Sequence, residues 1–230
     1  MINLDTYTKF TPPTKRKFTV FYTQIMNGGG SGQVDECLDI IRRDQGDRVF
    51  EHAYEWASGP SFIGYSIYAA GICKKLSVSD IFGPSMQAAE ETKNWPDNNC
   101  KDDVSVYLLN NLDLLPQHET WDLIVSNPPQ FPYYVHYQDE TEFQENRIST
   151  DFNWRGHKDL FKQAKTRLRP GGVMYLCENW PGLDPDSFQE TFKQEMLDAN
   201  LEFKGWDKSI SSWQPEKHIM FWYARLEHKG

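Results

Sequence analysis

Apolar and polar positions follow two rhythms along the chain. Val34, Cys37, Leu38 and Ile41 recur at helical spacing with charges between them. From residue 48 onward, short apolar runs of strand length alternate with helical stretches. The pattern predicts strands over 48–56, 76–81, 104–109, 121–126 and 173–177, and helices over 62–70, 84–95, 159–168 and 187–197. Pro84 stands early in its helix, where a missing N–H costs nothing. Gly71 and the Pro170-Gly171-Gly172 run close the helices that precede them. Strand–helix alternation predicts an α/β fold with a doubly wound, mostly parallel sheet. Two more runs, 201–210 and 218–226, lie too close together for a helical crossover. They predict an antiparallel hairpin at the sheet edge and bring the strands to seven. Ligands of such sheets bind at the carboxyl ends of the strands, where the strand order reverses.

Ahead of this alternation the pattern is mixed. Residues 1–26 include Pro12-Pro13 and the basic Lys15-Arg16-Lys17, and Gly28 to Gly32 reads as a joint. The expected organisation is an N-terminal extension and Gly-rich linker over 1–33, then one domain over 34–230. Hydrophobic residues make up 39% of the chain, but aromatics reach 14% and supply core area, so disorder is not expected. The net charge of −9 opposes unaided binding to bare phosphate backbone, although a local basic patch can sit on an acidic protein. No apolar run approaches the roughly 18 residues of a membrane span, and no signal-peptide segment is visible. Cys37, Cys73, Cys100 and Cys177 are far apart, without a C-x-x-C pair, and read as packed, reduced thiols. A cytoplasmic protein is therefore expected. The histidines show no metal-binding spacing, so no metal is expected.

The strongest chemical signal is the end of the strand over 121–126. It stops in Asn127-Pro128-Pro129, followed by Gln130, Phe131, Pro132 and Tyr133. Both prolines lack an N–H and have fixed φ, so the turn is stiff. The residue before a proline is pushed to an extended conformation, which holds Asn127 out at the strand end. Its carboxamide offers an acceptor and two donors; the oxygen, with a rigid backbone carbonyl, can hold an N–H₂ group. The plainer alternative is a strand followed by a proline turn that Asn127 merely caps.

Asp-Leu-Ile-Val-Ser-Asn-Pro-Pro over 122–129 resembles the fourth motif of class I S-adenosylmethionine-dependent methyltransferases that modify planar nitrogens. That group includes the N5-glutamine, adenine-N6 and guanine-N2 enzymes. The resemblance spans roughly residues 34–226 and implies a Rossmann-like class I fold with S-adenosylmethionine as cofactor. It implies Asn127, Pro128 and Pro129 as the catalytic turn. The family's first strand ends in an acid and a Gly-rich turn, to which Glu55-Trp56-Ala57-Ser58-Gly59-Pro60-Ser61 is similar, with Ala57 and Ser61 replacing two of the usual glycines. The second strand ends in Asp80-Ile81, and Asp80 is the expected partner of the ribose hydroxyls. A carboxylate accepts both hydroxyl hydrogens. The third-strand position beside the adenine amino group falls in Asn111-Leu112-Asp113, with Asp113 preferred and Asn111 the alternative. The implied cofactor set is thus Glu55, Ala57, Ser58, Gly59, Asp80, Ile81, Asn111, Leu112, Asp113 and Asn127.

The chain departs from the family after Pro129. Nucleic-acid members carry an aromatic there to stack on a flipped base. Here Gln130 stands first, and Phe131 or Tyr133 takes the stacking role only through a shifted loop. Gln130, Phe131 and Tyr133 are the expected acceptor-binding residues. The favoured acceptor is a planar amide or amino nitrogen of a protein side chain or small molecule. A nucleic-acid base, adenine N6 or guanine N2, is the alternative, and a non-catalytic cofactor-binding scaffold is a third reading. Residues 135–153 form a polar, acidic stretch, read either as a cover for the acceptor or as a solvated loop.

Overall fold

The computed structural model describes residues 4–11, 16–23, 30–132, 150–214 and 219–230. Two compact units are present. One holds residues 1–110 with 123–126; the other holds 111–122 with 127–230. Among the described residues the strands form a two-stranded and a seven-stranded sheet.

In the first unit, β1 (Asp5–Thr11) and β2 (Arg16–Tyr22) form an antiparallel hairpin. It is tied to the rest of the unit by a reciprocal pair: Thr19 N–H donates to Asn98 Oδ1 (3.0 Å) and Asn98 Nδ2 returns a bond to the Thr19 carbonyl (2.8 Å). Phe18 stacks on Tyr65 at 5.5 Å, and Tyr7 and Tyr22 meet Phe62 edge-on. The span read as an extension thus contains a packed hairpin. The run read as a joint also contributes residues to a helix: α1 (Gly30–Gln45) takes up Gly30, Ser31 and Gly32, while Gly28 and Gly29 lie outside the described residues. Val34, Cys37, Leu38 and Ile41 of α1 are all buried, as their spacing predicts.

β3 (Phe50–Trp56), α2 (Phe62–Ala69), β4 (Cys73–Asp80), α3 (Gly83–Asn94) and β5 (Val104–Leu108) follow. β3 pairs in parallel with β4 and with β6 (Trp121–Ser126), and β4 pairs with β5. Tyr54, Ala53, Leu76 and Val78 are fully buried, which is the continuous apolar reading that a parallel strand covered on both faces requires.

In the second unit, α4 (Arg155–Arg167) begins four residues before the predicted start. The cause is Asp151, whose carboxylate accepts the Gly156 and His157 N–H groups (2.8 and 3.0 Å) and so satisfies the helix's orphan donors. β7 (Leu168–Asn179) follows. Where the spacing predicts one helix over 187–197, two form: α5 (Pro185–Thr191) and α6 (Lys193–Asp198). The break is at Phe192, fully buried against Phe161 and Phe188, so ring packing overrides helical continuity there. β8 (Leu201–Gln214) and β9 (Ile219–His228) form the antiparallel hairpin. Both are longer than predicted, because register shifts after Phe203 and Lys208 let a twisted pair continue. The large sheet has the order β5-β4-β3-β6-β7-β9-β8, with β9 antiparallel to its neighbours. All four cysteines are buried free thiols, and burial pushes the Cys37 and Cys73 thiols far up.

Candidate cofactor and acceptor sites

The first unit builds its candidate site at the ends of β3 and β4. Ala57, Gly59 and Ser61 all have positive φ (49°, 53° and 67°), so the turn alternates in and out of the left-handed region. The two positions where Ala57 and Ser61 stand for glycines are thus positions that favour glycine. Glu55 is 2% exposed and faces inward. Its Oε2 accepts from the Ser61 hydroxyl and from the Gly64 N–H (2.9 Å) at the start of α2. Burial pushes its carboxyl up to about 8, although the Ser61 and Gly64 hydrogen bonds pull the other way. Glu55 thus fixes the strand-to-helix turn from inside. Gly64 is required by close approach, since a Cβ there would stand 2.5 Å from Glu55 Oε2.

Asp80, half-buried at the end of β4, accepts the Gly59 N–H on one oxygen and the Phe82 N–H on the other (both 2.8 Å). It clasps the two turns together. Ser58 donates its backbone N–H to the Ser79 carbonyl (3.0 Å) beside it. Ile81 and Leu108, at the ends of β4 and β5, present apolar side chains that are 61% and 59% exposed. A partly open carboxylate next to two bare apolar side chains fits a ribose diol and a purine ring. On that chemistry these residues suit S-adenosylmethionine.

In the second unit, Asn111 Oδ1 accepts the Asp113 N–H (2.9 Å) and caps a short 3-10 turn in which Leu112 is buried. The Asp113 carboxylate is half exposed and bonded to α4. Lys162 holds both its oxygens (2.9 and 2.8 Å) and Gln163 Nε2 adds a third bond (2.6 Å). Those bonds, led by Lys162, hold its carboxyl below the usual range. α4 thus engages both Asp113 oxygens, while the Asn111 side chain caps the turn beside it.

β6 ends with Ser126, whose hydroxyl donates to the Trp56 carbonyl (2.6 Å) and fastens the strand just before Asn127. Asn127 is half-buried, Pro128 buried and Pro129 half-buried. Gln130 is 6% exposed. Its Nε2 donates to Asn127 Oδ1 (2.9 Å) and to the Cys177 carbonyl (3.0 Å). Gln130 Nε2 is thus engaged within the turn and holds the Asn127 carboxamide. Phe131 is half-buried; its carbonyl accepts the Asp151 N–H (2.8 Å), and it forms a parallel bridge with Thr150. Tyr133 and residues 135–149 lie outside the described residues.

A cluster that pattern reading does not find lies in the same unit. His157 is fully buried, with Nδ1 2.6 Å from Asp151 Oδ2 and Nε2 3.1 Å from Glu178 Oε1. Burial pulls its pKa down, but the Glu178 charge and the bonds to both carboxylates raise it to about 9. The three residues are 6 and 21 positions apart in sequence, so no local spacing signals them. The one sequence clue is Asp151 placed as a helix cap. Among the described residues, no group of three or more metal-ligating side chains could hold an ion, and no helix is long and apolar enough to cross a membrane.

The strand order and the antiparallel terminal pair are those of the class I S-adenosylmethionine-dependent methyltransferase fold. Solved structures share it. The T. thermophilus 16S rRNA N2 methyltransferase, solved with AdoMet and guanosine, superposes with a TM-score of 0.62 at 14% identity, over 100% of this chain and 52% of its own. The ribosomal protein L11 methylase of Lactobacillus delbrueckii subsp. bulgaricus gives 0.57 at 15% identity, over 86% and 80%. In sequence, the chain is 28% identical over 171 residues to the ribosomal RNA large subunit methyltransferase I of Shewanella frigidimarina. That match covers 68% of this chain but only 39% of the relative's length. No protein-family model matches the chain.

Proposed function

We propose that the chain transfers a methyl group from S-adenosylmethionine to an amino nitrogen of a base in ribosomal RNA. The observation that carries this reading is the Gln130 fork, which holds the Asn127 carboxamide oxygen at the end of a stiff proline turn. The fork also engages both Gln130 amide hydrogens within the turn, which leaves neither for a side-chain amide acceptor. The similarity to a ribosomal RNA methyltransferase supports the nucleic-acid acceptor.

In this reading the chain's own residues align and desolvate. Asp80 takes the ribose hydroxyls, Ile81 and Leu108 cover the adenine, and Ala57 to Gly59 bring backbone close to the cofactor. Glu55 keeps the turn in shape from behind. Bound S-adenosylmethionine supplies an electrophilic methyl on a sulfonium. Asn127 Oδ1 and the Pro128 carbonyl accept the two N–H bonds of the amino group, which directs its lone pair away from them. The same two oxygens stabilise the positive charge that grows on nitrogen. Such alignment supplies up to roughly 7–11 kcal/mol of the barrier.

The test is methyl transfer from tritiated S-adenosylmethionine to unmodified ribosomal RNA, with ribosomal proteins and free nucleosides as parallel acceptors. Label in the RNA, lost by about 10²-fold or more in Asn127→Ala, is the expected result. Label in the protein fraction, or an Asn127→Ala variant with full turnover, overturns it.

A further inference from the structure

We propose that His157 is a positioning residue for the methyl-transfer turn: set between Asp151 and Glu178, it fixes the two backbone segments that hold the turn from Asn127 to Phe131. The inference rests on the reading that Asn127 faces the acceptor.

The connections close into a ring. Asn127 Oδ1 accepts from Gln130 Nε2, which also donates to the Cys177 carbonyl. The next residue on β7 is Glu178, whose Oε1 meets His157 Nε2. His157 Nδ1 meets Asp151, and the Asp151 backbone N–H donates to the Phe131 carbonyl. Asn153 N–H adds a bond to the Pro132 carbonyl (2.9 Å). The imidazole is therefore the link between β7, which anchors the Gln130 fork, and the segment that anchors Phe131. Its surroundings admit little slack. Phe192 stacks on the ring at 5.4 Å and 11°, and Trp154 meets it edge-on at 5.2 Å. Asp151 and Glu178 are charged groups that touch it. Of the charged groups on the helices beside it, Lys158 on α4 and Glu195 on α6 pair with each other (3.9 Å).

The arrangement is costly to build for structure alone. Glu178 is fully buried, its Oε2 has no hydrogen-bond partner, and burial raises its carboxyl pKa. Buried charge of this kind is often replaceable by apolar packing without loss of stability. A role in fixing one geometry explains why a charged link stands where packing would serve. With Asp151 and Glu178 as its partners, a protonated imidazole donates at both nitrogens, whereas a neutral one donates at only one. Deprotonation therefore releases one side of the ring of bonds.

The test uses the full chain. In wild type, the His157 ring and the Gln130 side-chain N–H₂ are followed by NMR from pH 6 to 10, with the Gln130 signals assigned through Gln130→Ala. His157 is expected to titrate near pH 9, and the Gln130 N–H₂ signals to shift with the same midpoint. Gln130 signals that ignore the His157 titration overturn the proposal, and this arm needs neither a substrate nor a folded variant. In the second arm, His157→Gln and Asp151→Asn are assayed for methyl transfer to unmodified ribosomal RNA beside Asn127→Ala. A roughly 10–100-fold fall in kcat, with cofactor affinity within about threefold of wild type, is expected for a turn held slightly out of place. His157→Gln, which keeps a polar group on the same site, retains more activity than His157→Phe. Variants that match wild type in kcat, while Asn127→Ala is inactive, overturn the positioning role alone. An active Asn127→Ala overturns the reading beneath it.

Discussion

Gln130 Nε2 lies 2.9 Å from Asn127 Oδ1 and fixes which end of that carboxamide is which. Turning the Asn127 amide over would set its N–H₂ against the N–H₂ of Gln130, donor against donor. The oxygen of Asn127 is thus committed in direction before any acceptor arrives.

Gln130→Leu removes both donors, one of which bonds the Cys177 carbonyl in a buried place. A loss of about 1–3 kcal/mol in urea unfolding is expected, together with a fall in kcat while cofactor affinity stays within a few-fold. Gln130→Glu is worse, because a carboxylate meets two oxygens. Wild-type kcat in both variants would show that the fork has no part in methyl transfer.

Asp80→Ala should weaken S-adenosylmethionine binding by about 1.5–3 kcal/mol, the worth of hydrogen bonds to a charged group. Asp80→Asn, which keeps one good acceptor, should lie between the two. Titration calorimetry reads both. Affinity unchanged in Asp80→Ala would move the ribose contact elsewhere.

Glu55 makes stability depend on pH. Its folded pKa, near 8, stands above the value of about 4.5 it has when free, so the folded state binds the proton more tightly. Its stabilising contribution is complete below pH 4.5 and declines as pH rises through 8. Glu55→Gln keeps the acceptor for Ser61 and Gly64 but cannot ionise. Urea midpoints of this variant should lose the Glu55 part of the slope between pH 4.5 and 8. A slope identical to wild type would mean that Glu55 is ionised throughout.

Gly182→Ala probes the turn from the other side. A Cβ on Gly182 would fall 1.9 Å from the Gln130 carbonyl oxygen and 3.2 Å from the Phe131 ring. Since the obstacle is backbone, the turn itself must move. Overpacking of this kind costs about 1–3 kcal/mol, and kcat should fall further than the thermal midpoint alone suggests. Gly32→Ala, where a Cβ meets nothing within 4 Å, is the control.

Much of the fold was legible because α/β alternation writes two distinct periods into the chain. Buried strands such as β6 read as apolar runs, and the Val34 to Ile41 stripe reads as one helix face. The hairpin β1–β2 was not legible, since its partners, Asn98 and Tyr65, are distant in sequence and its strands alternate only partly. The site was legible where geometry is local: Asn127 owes its position to the two prolines beside it. Glu55, Asp113 and Gln130 were visible as residue types, but their directions were not. Each direction is set by a remote partner: Gly64 on α2, Lys162 on α4 and the Cys177 carbonyl on β7. The His157 cluster shows the same limit, as three residues on three segments meet only after folding.

Ser61 holds two opposed contributions in one residue. Its left-handed backbone costs about 1–2 kcal/mol for a side chain other than glycine, and its hydroxyl returns a hydrogen bond to the buried Glu55. Ser61→Gly relaxes the first and deletes the second, so the two changes nearly cancel in a stability measurement. Ser61→Ala keeps the strained backbone and exposes the full worth of the hydroxyl. Glycine at this position is therefore close to silent for folding, yet it uncouples the turn from the carboxyl that supports it. A chain that has made that exchange would look intact by melting temperature and differ only in how its first turn titrates.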